Sequence, residues 1–212
     1  MNTITLPAAL IRGAMACQAT KDVRYYLNGI LLAENGDIVG TDGHAAFRGN
    51  CQDSGIESDV IISIDGKIHA KAESVQFVFN EDGLGGIATI DSGKVFSFKV
   101  IDGKYPDYNR VIPSLPRENH SNGFTVDSGL LSKVEKTFGK GSAVNFFPGS
   151  SHECILVQYA GKGTGVYQSS LENAVIAIMP MRSSADFDTL FGTVDRAIMA
   201  DEIDKDMKRQ HG

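Results

Sequence analysis

The residues with the clearest chemical potential lie in one short segment, TDGH at 41–44, where Asp42 and His44 stand two positions apart. A carboxylate and an imidazole that are close together can share a proton, as an acid–base pair does. No serine or cysteine nucleophile lies beside them to be activated. The segment therefore gives no support for catalysis, and we predict that the chain is not an enzyme.

Other residue types that could hold a ligand are scattered singly along the chain. Asp102, Asp107 and Asp127 fall in turns or caps and lack the spacing of a metal loop. The remaining histidines, which show no ligand spacing, are His69, His120, His152 and His211. The GKGTG segment at 161–165 lacks the GxxxxGK[ST] pattern and predicts a hairpin tip. We expect no metal and no other cofactor.

Composition and charge narrow the class of protein. With 42% hydrophobic and 22% charged residues, the 212-residue chain is typical of a globular protein. Cys17, Cys51 and Cys154 have no CxxC spacing, which argues against a disulfide framework or a zinc site. The net charge of -6 does not favour nucleic-acid binding, although a ring can be acidic outside and basic along its inner face. The N-terminus lacks a signal-peptide pattern and no apolar run reaches membrane-span length, so we expect a cytoplasmic protein without a membrane partner.

The first half of the chain predicts one helix followed by strands. Apolar residues spaced three and four apart predict a helix over 6–19, with Pro7 in its first turn. Residues 24–50 predict two strands joined at Asn35-Gly36, the strongest short hairpin signal. A second hairpin is expected between SVQFVFN and IATID, followed by a strand in KVFSFKVID.

The second half repeats the order of helix and then strands. The proline-rich segment at 102–123 predicts a linker, and Asp127 or Ser128 is expected to cap a helix that contains LLSKVEKTF. Residues 143–179 predict further strands. After residue 182, apolar residues recur with helical spacing, which predicts an amphipathic C-terminal helix.

Three segments together resemble the bacterial replicative DNA sliding clamp, the beta subunit of DNA polymerase III. They are residues 21–49, which contain RYYLNG and TDGH, residues 96–113, which contain DGKYPDY, and residues 174–182, which contain MPMR. They resemble, in order and spacing, the clamp's middle domain and the edge of its C-terminal domain. The resemblance extends roughly over 3–182, which implies a shortened form of that clamp.

The resemblance implies an α+β DNA-clamp fold. It implies two clamp-like domains of small antiparallel sheets with helices on one face, at 1–115 and 116–182, before a helical tail at 183–212. Six such domains close a ring around DNA in that family. A subunit equivalent to two domains would therefore form a trimer.

In such a ring, cations on the helices follow the phosphates of double-stranded DNA without reading its sequence. The candidate DNA-facing residues are Arg12, Lys21, Arg24, Lys133, Lys136 and Lys140. The alternative is that they are ordinary solvated cations on exposed helix faces.

The family also docks short peptides of DNA polymerases and other replication proteins in an apolar cleft. By resemblance, the cleft residues here are Leu27, Thr41, Gly43, His44, Pro106, Arg110, Val111, Ala177, Ile178, Met179, Pro180, Met181 and Arg182. Methionine and leucine make an adaptable apolar pocket, in which a partner anchors a few side chains.

The sequence departs from the family pattern at several places. Ala45-Ala46 stands where the family has Arg-Leu, which predicts a wider or weaker pocket. The segment after Ile64 is too short for the helix expected there, and the second half is short of a helix and some strands. In the tail, DFDTLF resembles the family's docking peptide, so Phe187, Leu190 and Phe191 are a possible docking segment; the alternative is a helix packed on the body.

Two functional hypotheses follow. The first is a DNA-encircling processivity clamp that forms a homo-oligomer, a trimer if it is a ring. The second is a clamp-derived binding or regulatory protein of a phage or mobile element, which does not encircle DNA and binds or mimics a host clamp.

Overall fold

The computed structural model describes residues 3–112, 126–148, 154–160, 169–171 and 173–180. The two α-helices are Ala8–Cys17 (α1) and Ser128–Phe138 (α2). Short 3-10 turns lie at Tyr25–Asn28, Tyr108–Arg110 and Ser169–Leu171. The strands are Thr3–Pro7 (β1), Ile30–Leu32 (β2), Asp37–Thr41 (β3), Ala45–Asn50 (β4), Val60–Ile64 (β5), Ser74–Phe79 (β6), Gly85–Ile90 (β7), Val95–Ile101 (β8), Val144–Phe147 (β9), Ile155–Tyr159 (β10) and Val175–Ile178 (β11).

These strands form a single sheet in the order β1-β6-β7-β8-β5-β2-β3-β4-β11-β10-β9, and every pairing is antiparallel. The two halves of the chain meet where β4 pairs with β11, in the register Ala46↔Ala177 and Phe47↔Ile176. Backbone hydrogen bonds therefore join the two expected domains directly.

The central part of the sheet has an internal two-fold pattern. In each half, a helix is followed by three antiparallel strands: α1 precedes β2-β3-β4, and α2 precedes β9-β10-β11. The two units meet at β4 and β11, and α1 packs against α2. The repeated order of helix and strands in the sequence thus corresponds to a repeated structural unit.

The main core lies between the sheet and the helices. Side chains alternate between the two faces of a strand, so Phe47, Ile176 and Ile178 join the helices in this core. Their strand neighbours Ala46 and Ala177 point to the other face, into a smaller apolar cluster. The expected clamp fold of antiparallel strands with helices on one face is confirmed.

Several local predictions are confirmed. Both hairpins form, between β2 and β3 around Asn35-Gly36 and between β6 and β7. Gly36 has a φ of +83°, a conformation that glycine adopts without steric cost. The Asp127 side chain caps α2 by accepting a hydrogen bond from the Gly129 N–H.

Two predictions for the first half of the chain are wrong: the bounds of the first helix and the start of the first strand. The first helix begins at Ala8 and ends at Cys17, because Leu6 and Pro7 belong to β1 and pair with β6. Tyr25–Asn28 is a 3-10 turn and not a strand. Local hydrogen bonds favour the turn: the Asp22 carboxylate accepts from Arg24 N–H at 2.8 Å, and the Asn28 side chain accepts from Asp22 N–H at 2.9 Å.

The segment between β5 and β6 is a loop that packs on α1. Two of its own side chains, Ile68 and Ala72, are buried in the main core. The Arg12 guanidinium donates hydrogen bonds to the carbonyls of His69 and Ala72, both at 3.0 Å. This cation therefore satisfies loop carbonyls. The boundary near 115 and the helical tail at 183–212 lie outside the described residues.

Candidate functional site

An apolar cleft of about 150 Å³ lies on the face of the sheet opposite the helices, beside the junction of β4 and β11. The residues that line it are Arg24, Leu27, Thr41, Gly43, His44, Ala45, Ala46, Pro106, Tyr108, Val111, Ala177 and Met179. A cavity of this size accepts a benzene-sized apolar group. The cleft therefore suits one buried aromatic or aliphatic side chain of a partner.

Four separate parts of the chain build the cleft. The first 3-10 turn contributes Leu27, which is buried. The turn between β3 and β4 contributes one wall, the segment around Tyr108 contributes another, and the end of β11 contributes Ala177 and Met179. Val111 and Met179 are 43% and 38% exposed, so apolar surface remains open to a partner.

Two alanine side chains face each other at the base of the cleft because of the strand register. Ala46 faces Ala177 across the β4–β11 pair. Two short side chains at this position leave room where longer ones would fill the space. That Ala45-Ala46 makes the pocket wider or weaker than in the family stays a prediction.

The turn of residues 41–45 is fixed by hydrogen bonds around Asp42. One carboxylate oxygen of Asp42 accepts from the N–H groups of His44 and Ala45, both at 2.9 Å. The Thr41 hydroxyl donates to the Ala45 carbonyl at 2.8 Å. The Met179 N–H donates to the His44 carbonyl at 3.0 Å, which joins the end of β11 to the turn.

Within the described residues, Lys133 and Arg24 are the cations that contact this turn. Lys133 Nζ of α2 lies 2.5 Å from the second carboxylate oxygen of Asp42. Arg24 pairs with Asp22 at 2.7 Å and donates to the Asp42 carbonyl at 3.3 Å. Partial burial of Asp42 opposes its ionisation, but the hydrogen bonds from Lys133, Ala45 and His44 outweigh burial and lower the pKa of Asp42. The hydrogen bonds from Arg24 lower the pKa of Asp22 from 3.8 to about 2.

The structure brings many of the predicted cleft residues together. Those that line the cavity are Leu27, Thr41, Gly43, His44, Pro106, Val111, Ala177 and Met179. Ile178 instead points into the main core, because strand neighbours face opposite sides. Arg110 is exposed and Pro180 is half-buried, and neither lines the cavity. Met181 and Arg182, like the tail residues Phe187, Leu190 and Phe191, lie outside the described residues.

The candidate DNA-facing residues divide into two groups. Arg12, Arg24 and Lys133 each contact an oxygen of the protein, as described above. Lys21, Lys136 and Lys140 are exposed and have no ion pair within the described part of the chain. Apart from Arg12, α1 presents only apolar or small residues, and none of its residues is fully exposed.

The predicted cleft residues leave out four of those that line it, Arg24, Ala45, Ala46 and Tyr108. Of these, the sequence relates Ala45-Ala46 only to the width or strength of the pocket, and it assigns Arg24 to the DNA-facing set because Arg24 lies beside the first helix. A signal for its actual place was Asp22 two positions before it, which suits a local ion pair and turn. Tyr108 lies within the DGKYPDY motif, and its hydroxyl donates to Asp37 at 2.8 Å.

Within the described residues, no cluster of histidine, cysteine or acidic side chains has the arrangement of a metal site. No described helix is long and apolar enough to cross a membrane.

An antiparallel sheet with paired helices on one face and an apolar cleft on the other defines a protein of the sliding-clamp fold. The solved DNA polymerase sliding clamp from Pseudomonas aeruginosa matches with a TM-score of 0.59 at 20% identity, over 85% of this chain and 67% of that chain.

The sequence is also similar to curated bacterial proteins. It is 36% identical over 118 residues to the beta sliding clamp of Pseudomonas aeruginosa and 34% identical over 128 residues to that of Escherichia coli K12. These matches cover 49% and 53% of this chain but only 31% and 34% of the two relatives. No family model matches the chain. The resemblance read from the sequence is thus confirmed over about half of this chain, and the chain spans about a third of the length of these relatives.

Proposed function

We propose that this chain is a non-catalytic, sliding-clamp-like processivity factor of DNA replication. In this proposal it encircles double-stranded DNA as a homo-oligomeric ring in the cytoplasm and docks short peptides of DNA polymerase or other replication proteins. The observation that carries the proposal is the cleft, whose walls come from both halves of the chain.

The chemistry of the cleft favours a peptide partner. Its apolar lining suits one buried side chain, and Arg24 at the rim, with a side chain that is 48% exposed, suits a backbone carbonyl of the same peptide. The relatives are named as sliding clamps, and replication proteins are therefore the expected source of such peptides.

The ends of the sheet support assembly into a ring. β1 and β9 are the terminal strands of the sheet, and neither has a second strand neighbour among the described residues. An open strand edge can pair with another chain. Because the two edges are different, pairing of β1 with β9 would be head-to-tail, which closes a ring if the rotation fits.

Binding of a labelled synthetic peptide of residues 184–193, which carries Leu190 and Phe191, tests the cleft. Val111→Asp places a charge in the apolar lining at an exposed position, so the fold should be kept while peptide affinity falls by about tenfold or more. The matched control is Val95→Asp, which changes an exposed valine on β8 outside the cleft and should leave affinity unchanged. Equal affinity for Val111→Asp and the unchanged chain, or no binding to either, would contradict the proposal.

A second candidate function is a clamp-derived binding or regulatory protein that does not encircle DNA. The observation that favours it is the use of Arg12, Arg24 and Lys133 within the protein, which leaves fewer cations for phosphate contacts. This candidate keeps the cleft but predicts no closed ring.

A further inference from the structure

We propose that Lys133 is a positioning residue for the cleft. Its ion pair with Asp42 couples α2, on the face of the sheet that the helices cover, to the turn between β3 and β4, which forms a cleft wall on the opposite face. Lys133 does not line the cavity, so its effect on a bound peptide would be transmitted through Asp42. The inference rests on the proposed peptide-binding function.

The ion pair connects segments that are 91 positions apart in the chain. Asp42 and Lys133 belong to different halves of the chain and to different layers of the fold. The side chains of Lys133 and Asp42 are only 16% and 22% exposed. A pair that is this shielded from water is screened less than a surface pair, and loss of one partner leaves the other charge partly buried without its counter-ion.

Asp42 is well placed to transmit a change in α2. The same carboxylate that contacts Lys133 also accepts the His44 and Ala45 N–H groups, and these two residues line the cleft. The His44 carbonyl in turn accepts the Met179 N–H from the end of β11. A shift of Asp42 therefore reaches two walls of the cleft through direct hydrogen bonds.

Lys136 provides a matched comparison on the same helix. It lies one turn after Lys133, is exposed, and has no ion pair within the described residues. Removal of either lysine lowers the charge of α2 by the same amount. Only removal of Lys133 leaves Asp42 without its cation.

The test compares Lys133→Met with Lys136→Met in the full chain by two measurements. Lys133→Met should weaken binding of the 184–193 peptide by about tenfold, a usual size for coupling between linked sites, while Lys136→Met should leave it within about twofold. Without peptide, amide NMR signals of His44, Ala45 and Met179 should shift in Lys133→Met and stay in place in Lys136→Met. Lys133→Arg, which restores the cation, should return both the signals and the affinity toward the original values.

The two measurements separate the inference from the function on which it rests. If the unchanged chain does not bind the peptide, the docking function fails, and the NMR comparison alone decides whether Lys133 positions the turn. If the peptide binds and Lys133→Met behaves like Lys136→Met in both measurements, the inference is overturned. If Lys133→Met does not fold, Lys133→Arg and Asp42→Asn decide. The inference then requires that Asp42→Asn shifts the His44 and Ala45 signals and weakens peptide binding. It also requires that Lys133→Arg keeps the original signals and the original affinity.

Discussion

At the scale of single residues, the environment determines what each charged or reactive side chain can do. Arg12 and Lys133 are ordinary helix cations in the sequence, but in the fold each has a protein oxygen as its partner. Lys136 has the same residue type and a similar position and stays exposed. The number of lysines and arginines therefore overestimates the charge that is available to bind DNA.

The three cysteines provide a residue-scale prediction. Burial raises the pKa of Cys17 to about 12, and Cys154 is buried with its thiol donating to the Val111 carbonyl at 3.1 Å. Burial also raises the pKa of Cys51, which is only half-buried. Because the thiolate is the reactive form and access is required, a thiol reagent such as DTNB at pH 8 should modify Cys51 first.

The expected result is one accessible thiol in the native chain and three after unfolding in denaturant. Cys51→Ser should remove the native reaction and leave two thiols in the unfolded chain. Rapid native modification of Cys51→Ser would contradict the burial of the other two cysteines.

At the scale of elements, the contact between α1 and the sheet depends on positions without a side chain. Gly40 on β3 faces the backbone of α1, and a Cβ atom there would overlap the Ala14 carbonyl oxygen. A backbone atom cannot move aside as the end of a flexible side chain can. The close approach of the helix to β3 therefore requires glycine at this position.

Gly40→Ala should destabilise the fold by about 3 kcal/mol, at the upper end of the usual cost of overpacking. The comparison is Gly83→Ala, where no atom lies within 4 Å of the added Cβ but φ is +71°. Its cost is that of the left-handed conformation alone, about 1 kcal/mol. Urea unfolding followed by circular dichroism measures both, and equal losses in the two variants would show that α1 does not approach β3 so closely.

At the scale of the whole molecule, the central question is whether separate chains join through the ends of the sheet. β1 and β9 lie at opposite ends of the eleven strands. The net charge of -6 does not prevent this, since pairing of strand edges depends on backbone groups and not on overall charge. A ring would also place α1 and α2 of each chain on a common side of the assembly.

A stable trimer is the expected native state if the chain forms a ring. Light scattering over a range of protein concentrations should then give three times the chain mass without dissociation on dilution. The same measurement in high salt is the control, because edge-to-edge backbone pairing should persist while purely ionic association weakens. A monomer or a dimer would leave too few clamp-like domains for a ring and would favour the clamp-derived binding protein.

The sequence by itself determined the features that depend on neighbouring residues. The Asn35-Gly36 turn and the helix that contains LLSKVEKTF are local signals, and each was predicted where the structure has it. The cap of that helix was expected at Asp127 or Ser128, and Asp127 provides it. The segments that resemble the clamp also indicated the fold and most of the cavity lining. These predictions succeeded because a turn, a cap or a motif is written within a few consecutive positions.

Only the tertiary structure decided how distant positions combine. The ion pair of Asp42 with Lys133, the hydrogen bonds of Arg12 to loop carbonyls and the pairing of β4 with β11 join residues from 57 (Arg12 and His69) to 133 (Ala45 and Ile178) positions apart. The hydrophobic period of a segment predicts which of its faces is buried. It does not predict which other element of the chain covers that face or which charged side chain lies beside it. For this chain, burial and long-range pairing decide which cations remain available and which side chains form the cleft.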